Sequence, residues 1–234
     1  VRLVKLVADF PNVVYVLAFD RFRVERSLGQ TGDDGREYLE KIIQAPHDLP
    51  SAAPSRIREI AFGELGEALE RRGIELSDEE ATRWWGLFHL GVEPYLRTLR
   101  TARQWINVAP ARILLAGSGV SPADVLALEA LRIFEPDVYG QLFPVLERTT
   151  TEALALEGSL SPERKEKRAK EIVGIVEESR LPAVVTRLLV ELLPDVSTLL
   201  TSAEVHHDRR EARRTGRVAS QDALAAYLRG KPRD

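Results

Sequence analysis

The 234-residue sequence contains no cysteine and no methionine. The first absence excludes disulfides, thiol catalysis and zinc–thiolate sites. The second extends to the initiator, and Val1, Leu3, Val4, Leu6 and Val7 repeat at helical spacing with no capping residue before them. Together these features lead to the expectation that the chain is a fragment of something longer. Long hydrophobic runs are missing too. Val13 to Phe19 is the longest, against the roughly 20 apolar residues that a membrane helix needs. The opening residues do not read as a secretory n-region and h-region. Nor does one sign of charge dominate: 33 basic against 36 acidic residues give a net charge of −3, so no global field steers the chain to nucleic acid. The patterns G-x-x-x-x-G-K-[ST], H-E-x-x-H and G-x-S-x-G are all absent.

What is present describes a globular protein: 44% hydrophobic and 29% charged residues, in a length suited to one large domain or two small ones. Val1 to Ala8 reads as the end of a helix, stopped by Asp9-Phe10-Pro11-Asn12. Val13 to Phe19 is β-branched and aromatic without alternation, the pattern of a strand covered on both faces of a parallel sheet. Asp20 caps a helix expected to reach Leu28. Gly29 to Gly35 reads as a loop, Tyr38 to Ile43 as a short helix and Gln44 to Pro50 as extended chain.

Beyond Ser51 the pattern is almost wholly helical. A helix is expected over Ser55 to Arg72, and Ser77-Asp78-Glu79-Glu80 reads as a capping box before Trp84, Trp85 and Leu87. Another runs from Thr101 to Ala116 with Thr101 as its cap. Ser121-Pro122-Ala123-Asp124 opens the next, with Ser as cap and Pro at the first helical position. Ser161-Pro162-Glu163 begins a strongly charged helix whose cations and anions nearly balance, as on a solvated face. Leu181 to Leu200 is the most apolar helical stretch, and the tail from His206 carries a local charge of +4.

Three sets of residues are candidates for chemistry. His206-His207-Asp208 is a poor metal site, because neighbouring residues on a helix point about 100° apart. Asp20 and Arg21 follow the strand-like run, and ligands of open α/β sheets bind beyond the carboxyl ends of strands. The residues alone favour the plainer reading, a helix cap beside a solvated arginine, because caps are common and sites rare. Arg100 and Arg103 flank Thr101 in what reads as a first helical turn, where the macrodipole disfavours cations unless an anion lies there.

Several blocks together are more specific. Asn12 to Arg21, Tyr38 to Gln44 with Asp48-Leu49-Pro50, Leu99-Arg100-Thr101-Ala102-Arg103, Ser121 to Tyr139 and Arg217-Val218-Ala219-Ser220 resemble, in order, the KAP family of P-loop NTPases. The resemblance implies that the phosphate loop and the acidic metal-binding strand lie upstream of Val1. It places Asp20 and Arg21 at a sensor-like position near the γ-phosphate, with Arg21 catalytic and Asp20 binding the nucleotide. Arg100 and Arg103 would reach the nucleotide from a helical lid. The sequence departs from the family pattern at His47, Ala102, Ile106, Asn107 and Pro110. Pro110 is expected to kink its helix.

The fold implied is predominantly α: a helical lid and a winged-helix-like bundle attached to a one- or two-strand remnant of a parallel α/β P-loop NTPase core. Residues 1–50 would end the core, 51–120 form the lid and 121–234 the winged-helix-like and C-terminal helical segment. The function implied is the C-terminal part of a KAP-type ATPase, an ATP-driven switch, inactive without its phosphate loop. ATP and Mg2+ would be cofactors of the parent and would not bind this chain tightly, and no residue here is assigned to a metal. The location implied is cytoplasmic, with any membrane association carried by other parts of the parent. Protein partners or self-assembly remain open. The competing reading is a non-catalytic interaction module that docks partners through Trp84, Trp85 and the Leu181 to Leu193 face. Nucleic-acid binding is disfavoured, since Arg132 is the one cation within Pro122 to Phe134.

Overall fold

A computed structural model describes residues 12–29, 32–155, 162–193, 196 and 209–229. The expected helix at residues 1–8, the His206-His207-Asp208 cluster and most of residues 194–200 lie outside these. The chain divides into two compact units, Val1–Ser51 and Ala52–Asp234. All regular elements among the described residues are helical.

The first unit contains α1 (Arg21–Leu28) and α2 (Gly32–Glu40). Asp20 caps α1 as expected, its Oδ1 accepting from the Arg23 N–H at 3.0 Å. The glycine-rich loop is shorter than its composition suggests, because α2 already begins at Gly32 and ends before Ile42 and Ile43. Gly35 lets the two helices approach closely: a Cβ there would stand 1.9 Å from the Glu25 carbonyl oxygen.

Val13 to Phe19 does not form the expected strand. Its exposure alternates, with Val14 and Val16 near 90% and Tyr15, Leu17 and Phe19 near 40%, as in extended chain whose side chains point to opposite sides. A strand requires ladder bonds to a neighbour, and no second strand exists among the described residues to supply them. The α/β remnant expected from the sequence is therefore absent from the described residues, and so is the strand that a winged helix would need.

The second unit is a helical bundle. Its elements are α3 (Pro54–Glu70), α4 (Asp78–Leu87), a π-helical turn (Phe88–Val92), a 3-10 turn (Glu93–Tyr95), α5 (Leu99–Ala116) and α6 (Pro122–Phe134). There follow α7 (Pro136–Ala155), α8 (Pro162–Glu177), α9 (Pro182–Leu192), α10 (Arg209–Arg214) and α11 (Gln221–Arg229). Every residue of α6 from Ala123 to Leu131 is buried, Asp124 and Glu129 included, so it is the central helix, buried all round. It packs against α4, α5 and α7.

Helix ends follow local chemistry. Beyond α3, Gly73 takes φ +65° while the Ile74 N–H returns to the Leu69 carbonyl, the left-handed stop that glycine favours. Ser77 caps α4 through the Glu80 N–H, but Glu80 does not reach back to close the box. Its carboxylate instead accepts from Ser121 Oγ at 2.8 Å and the Ala123 N–H at 3.1 Å, serving the N-terminus of α6. Among the described residues no helix is long and apolar enough to cross a membrane.

The aromatic residues read as a docking face divide between core and surface. Trp84 is buried and stacks on the fully buried Trp105 with ring centroids 5.5 Å apart. Leu188, Leu189 and Leu192 of α9 are buried as well. Trp85 alone of that set is exposed, leaning on Phe62.

Candidate functional site

The four residues singled out in the sequence belong to different units: Asp20 and Arg21 to the first, Arg100 and Arg103 to the second. Asp20 sits at the cap of α1 and Arg21 at its first helical position. The Arg21 guanidinium hydrogen-bonds Glu25 one turn later at 2.8 Å, and that bond pushes Arg21 further up from its usual value. Asp20 thus fixes where the helix starts, and with it the direction from which Arg21 projects.

Arg100 and Arg103 lie one turn apart on α5, but not where the sequence suggested. The cap is Thr98, whose Oγ1 accepts the Thr101 N–H at 3.2 Å while Thr101 Oγ1 accepts the Thr98 N–H at 3.2 Å. Two threonines three residues apart close the box reciprocally, and the helix begins a turn earlier than a Thr101 cap would allow. Arg100 remains in the first turn and is exposed, whereas Arg103 lies beyond it, where the dipole cost has faded. Pro110 stands inside an uninterrupted helix.

Arg103 has a partner that the sequence did not reveal. Its guanidinium grips Glu64 of α3 bidentately, Nη2 to Oε1 at 2.6 Å and Nε to Oε2 at 3.1 Å. The fork geometry matches a carboxylate as it would a phosphate. The bond from Arg103 holds the Glu64 carboxyl below its ordinary value. Beside this pair a groove of about 310 Å³ runs between α3 and α5, with Arg71, Arg72 and Asn107 in its lining. Thirty-nine residues separate Glu64 from Arg103, so no local spacing could have signalled the contact.

A larger open cleft of about 650 Å³ lies between α4, α9 and the segment before α11. Its arginines already have carboxylate partners. Arg83 donates to the fully buried Asp124 at 2.6 Å and pairs with Glu191 at 3.5 Å. Arg217 pairs with Glu79 at 3.3 Å. A second buried network centres on Glu129, which accepts from Arg112, Arg132 and the Tyr227 hydroxyl. Both networks hold the last described segment, with Val218 and Tyr227, onto α6.

Tight triphosphate binding needs a nest of backbone donors, a lysine and a held metal ion. The sequence has no phosphate-loop motif, and no metal-holding group of three or more His, Asp or Glu side chains occurs among the described residues. Planar, permanently charged arginines such as these can pair with a carboxylate or a phosphate alike.

Residues 1–110 match the family model of the KAP family P-loop domain. The match spans the Asn12 to Arg21, Tyr38 to Pro50 and Leu99 to Arg103 blocks; Ser121 to Tyr139 and Arg217 to Ser220 lie beyond it. No curated protein and no solved structure matches the chain.

Proposed function

On the strength of that match, we propose that the chain is the C-terminal part of a KAP-type P-loop ATPase, an ATP-driven molecular switch. It contributes arginines and a helical lid and relies on another segment for the phosphate loop. The carrying observation is that a P-loop domain family matches residues 1–110 while the 234-residue sequence holds no G-x-x-x-x-G-K-[ST]. In this reading Arg21 is catalytic, and Asp20, Arg100 and Arg103 bind the nucleotide. The protein acts in the cytoplasm, and any membrane attachment resides in other parts of the parent.

Bound MgATP would bring the γ-phosphoryl group, whose transition state spreads negative charge over its outer oxygens. The chain's task is then to place positive charge at those oxygens. Arg21 is held by Glu25 and Arg103 by Glu64, both in solvent-accessible pairs. Such pairs are weak, so either guanidinium can exchange a carboxylate for a phosphate.

The test is phosphate release and MgATP binding by the purified chain, then by the chain joined to the gene segment encoded upstream of it. The isolated chain should show no turnover and no tight MgATP binding, and the joined protein both. Turnover by the isolated chain, abolished by a point change within it, would sink the reading.

A further inference from the structure

Among the described residues the groove between α3 and α5 gathers an unusual set of groups. Arg71 and Arg72 line it at the end of α3 and Asn107 lines it from α5, while Arg103, one turn before Asn107, borders it through its bond to the lining residue Glu64. The lining also holds two carboxylates of α3, each held by an arginine: Glu64 by Arg103 of α5, and Glu67 by Arg71 one turn later at 3.2 Å. Arg72 donates to the Ala68 carbonyl at 2.9 Å. Asn107 lines the groove and is exposed, and its amide carries both a donor and an acceptor.

We propose that this groove is an oxyanion site of the phosphate class, and that Glu64 is an internal placeholder for its ligand. Glu64 presents two oxygens to the Arg103 fork at 2.6–3.1 Å, the arrangement a phosphate would adopt on the same fork. While it does so, Arg103 is neutralised and aimed across the groove. When an anion enters, Glu64 releases Arg103, and the freed guanidinium joins Arg71 and Asn107 around the newcomer. Anion affinity is then set by competition with Glu64, which makes residue 64 the regulator of the site. The inference rests on the proposed role of Arg103 toward nucleotide and adds what holds that arginine in reserve.

The probe is inorganic pyrophosphate, titrated into the purified chain by calorimetry at low salt, so the outcome does not depend on ATP turnover. Glu64→Gln should tighten binding about two- to five-fold, the range for releasing one exposed ion pair. Arg103→Ala should weaken it and should cancel the gain in the double variant. Glu59→Gln is the control, because it frees Arg56 from a comparable exposed pair at 2.7 Å outside the groove lining. Circular dichroism checks that each variant is folded. Equal affinities for the parent chain and Glu64→Gln would overturn the proposal, as would a gain of the same size in Glu59→Gln. Pyrophosphate binding that follows residue 64, in a joined protein whose ATPase ignores Arg103, would retain the oxyanion site and remove the nucleotide role.

Discussion

The backbone N–H of Val218 donates to Asp124 Oδ2 at 2.8 Å, joining positions 94 residues apart inside the core. Asp124 also takes the Arg83 Nε–H, so one buried carboxylate ties α4, α6 and the segment leading to α11 together. Burial pushes the Asp124 carboxyl up, while Arg83 and the Val218 N–H oppose that push.

Removing that carboxylate leaves a nearly buried guanidinium and a buried N–H without their partner. Asp124→Ala should therefore cost about 3–5 kcal/mol, the range for breaking one side of a buried pair. Urea unfolding measures it. Replacing both members with apolar residues of similar volume, as in Arg83→Met with Asp124→Leu, should recover much of the loss. A cost below about 1 kcal/mol, the scale of an exposed pair, would show that the contact carries little.

Alkaline pH should destabilise the protein through Tyr227, which is fully buried and hydrogen-bonded to Glu129. Burial raises its hydroxyl well above the ordinary value, and Glu129 adds to the effect. In the unfolded chain a tyrosine releases its proton near pH 10, whereas the folded chain retains it. Above about pH 10 the native state binds more protons, so stability falls as pH rises, by about 1.4 kcal/mol per unit from this one group. Tyr227→Phe should flatten that slope in denaturant midpoints taken between pH 9 and 11.

Gly73 and Gly216 separate backbone preference from crowding. Both have positive φ, +65° and +67°. A Cβ at Gly73 meets open space, whereas at Gly216 it would stand 2.7 Å from the Gly119 carbonyl oxygen. Gly73→Ala should cost about 1 kcal/mol, the conformational penalty alone. Gly216→Ala should cost clearly more, because the Ser121 N–H that binds the Gly216 carbonyl at 2.7 Å must shift with it. Thermal unfolding of the two variants side by side gives the comparison.

Those contacts also show what the sequence could and could not convey. Caps are local, and Asp20, Ser77 and Ser121 are read correctly because each serves an N–H three residues ahead. Thr101 misleads because a threonine at the third helical position closes a box as well as one at the cap does. Val13 to Phe19 misleads for a different reason: its pattern expresses a demand for neighbours, and a demand is not a ladder. Trp84 and Trp85 are identical letters with opposite fates, decided by which one faces Trp105. Glu64 and Val218 become visible only once helices distant in sequence are packed.

The candidate catalytic role rests on Arg21, and its test separates charge placement from binding. Arg21 and Arg23 leave the same short helix two residues apart, so they project in different directions. Arg21 pairs with Glu25, whereas Arg23 is mostly exposed beside Asp20. In the proposed ATPase, assayed as the chain joined to the upstream segment, Arg21→Ala should lower kcat by about 10²–10³ with a much smaller change in KM. That is the pattern of a donor acting mainly on transition-state charge. Arg23→Ala should leave both constants near their starting values. Arg21→Lys keeps the charge but loses the planar fork, so it should recover only part of the rate. Should Arg21→Ala and Arg23→Ala behave alike, Arg21 serves only its helix, and Glu25 is its sole business.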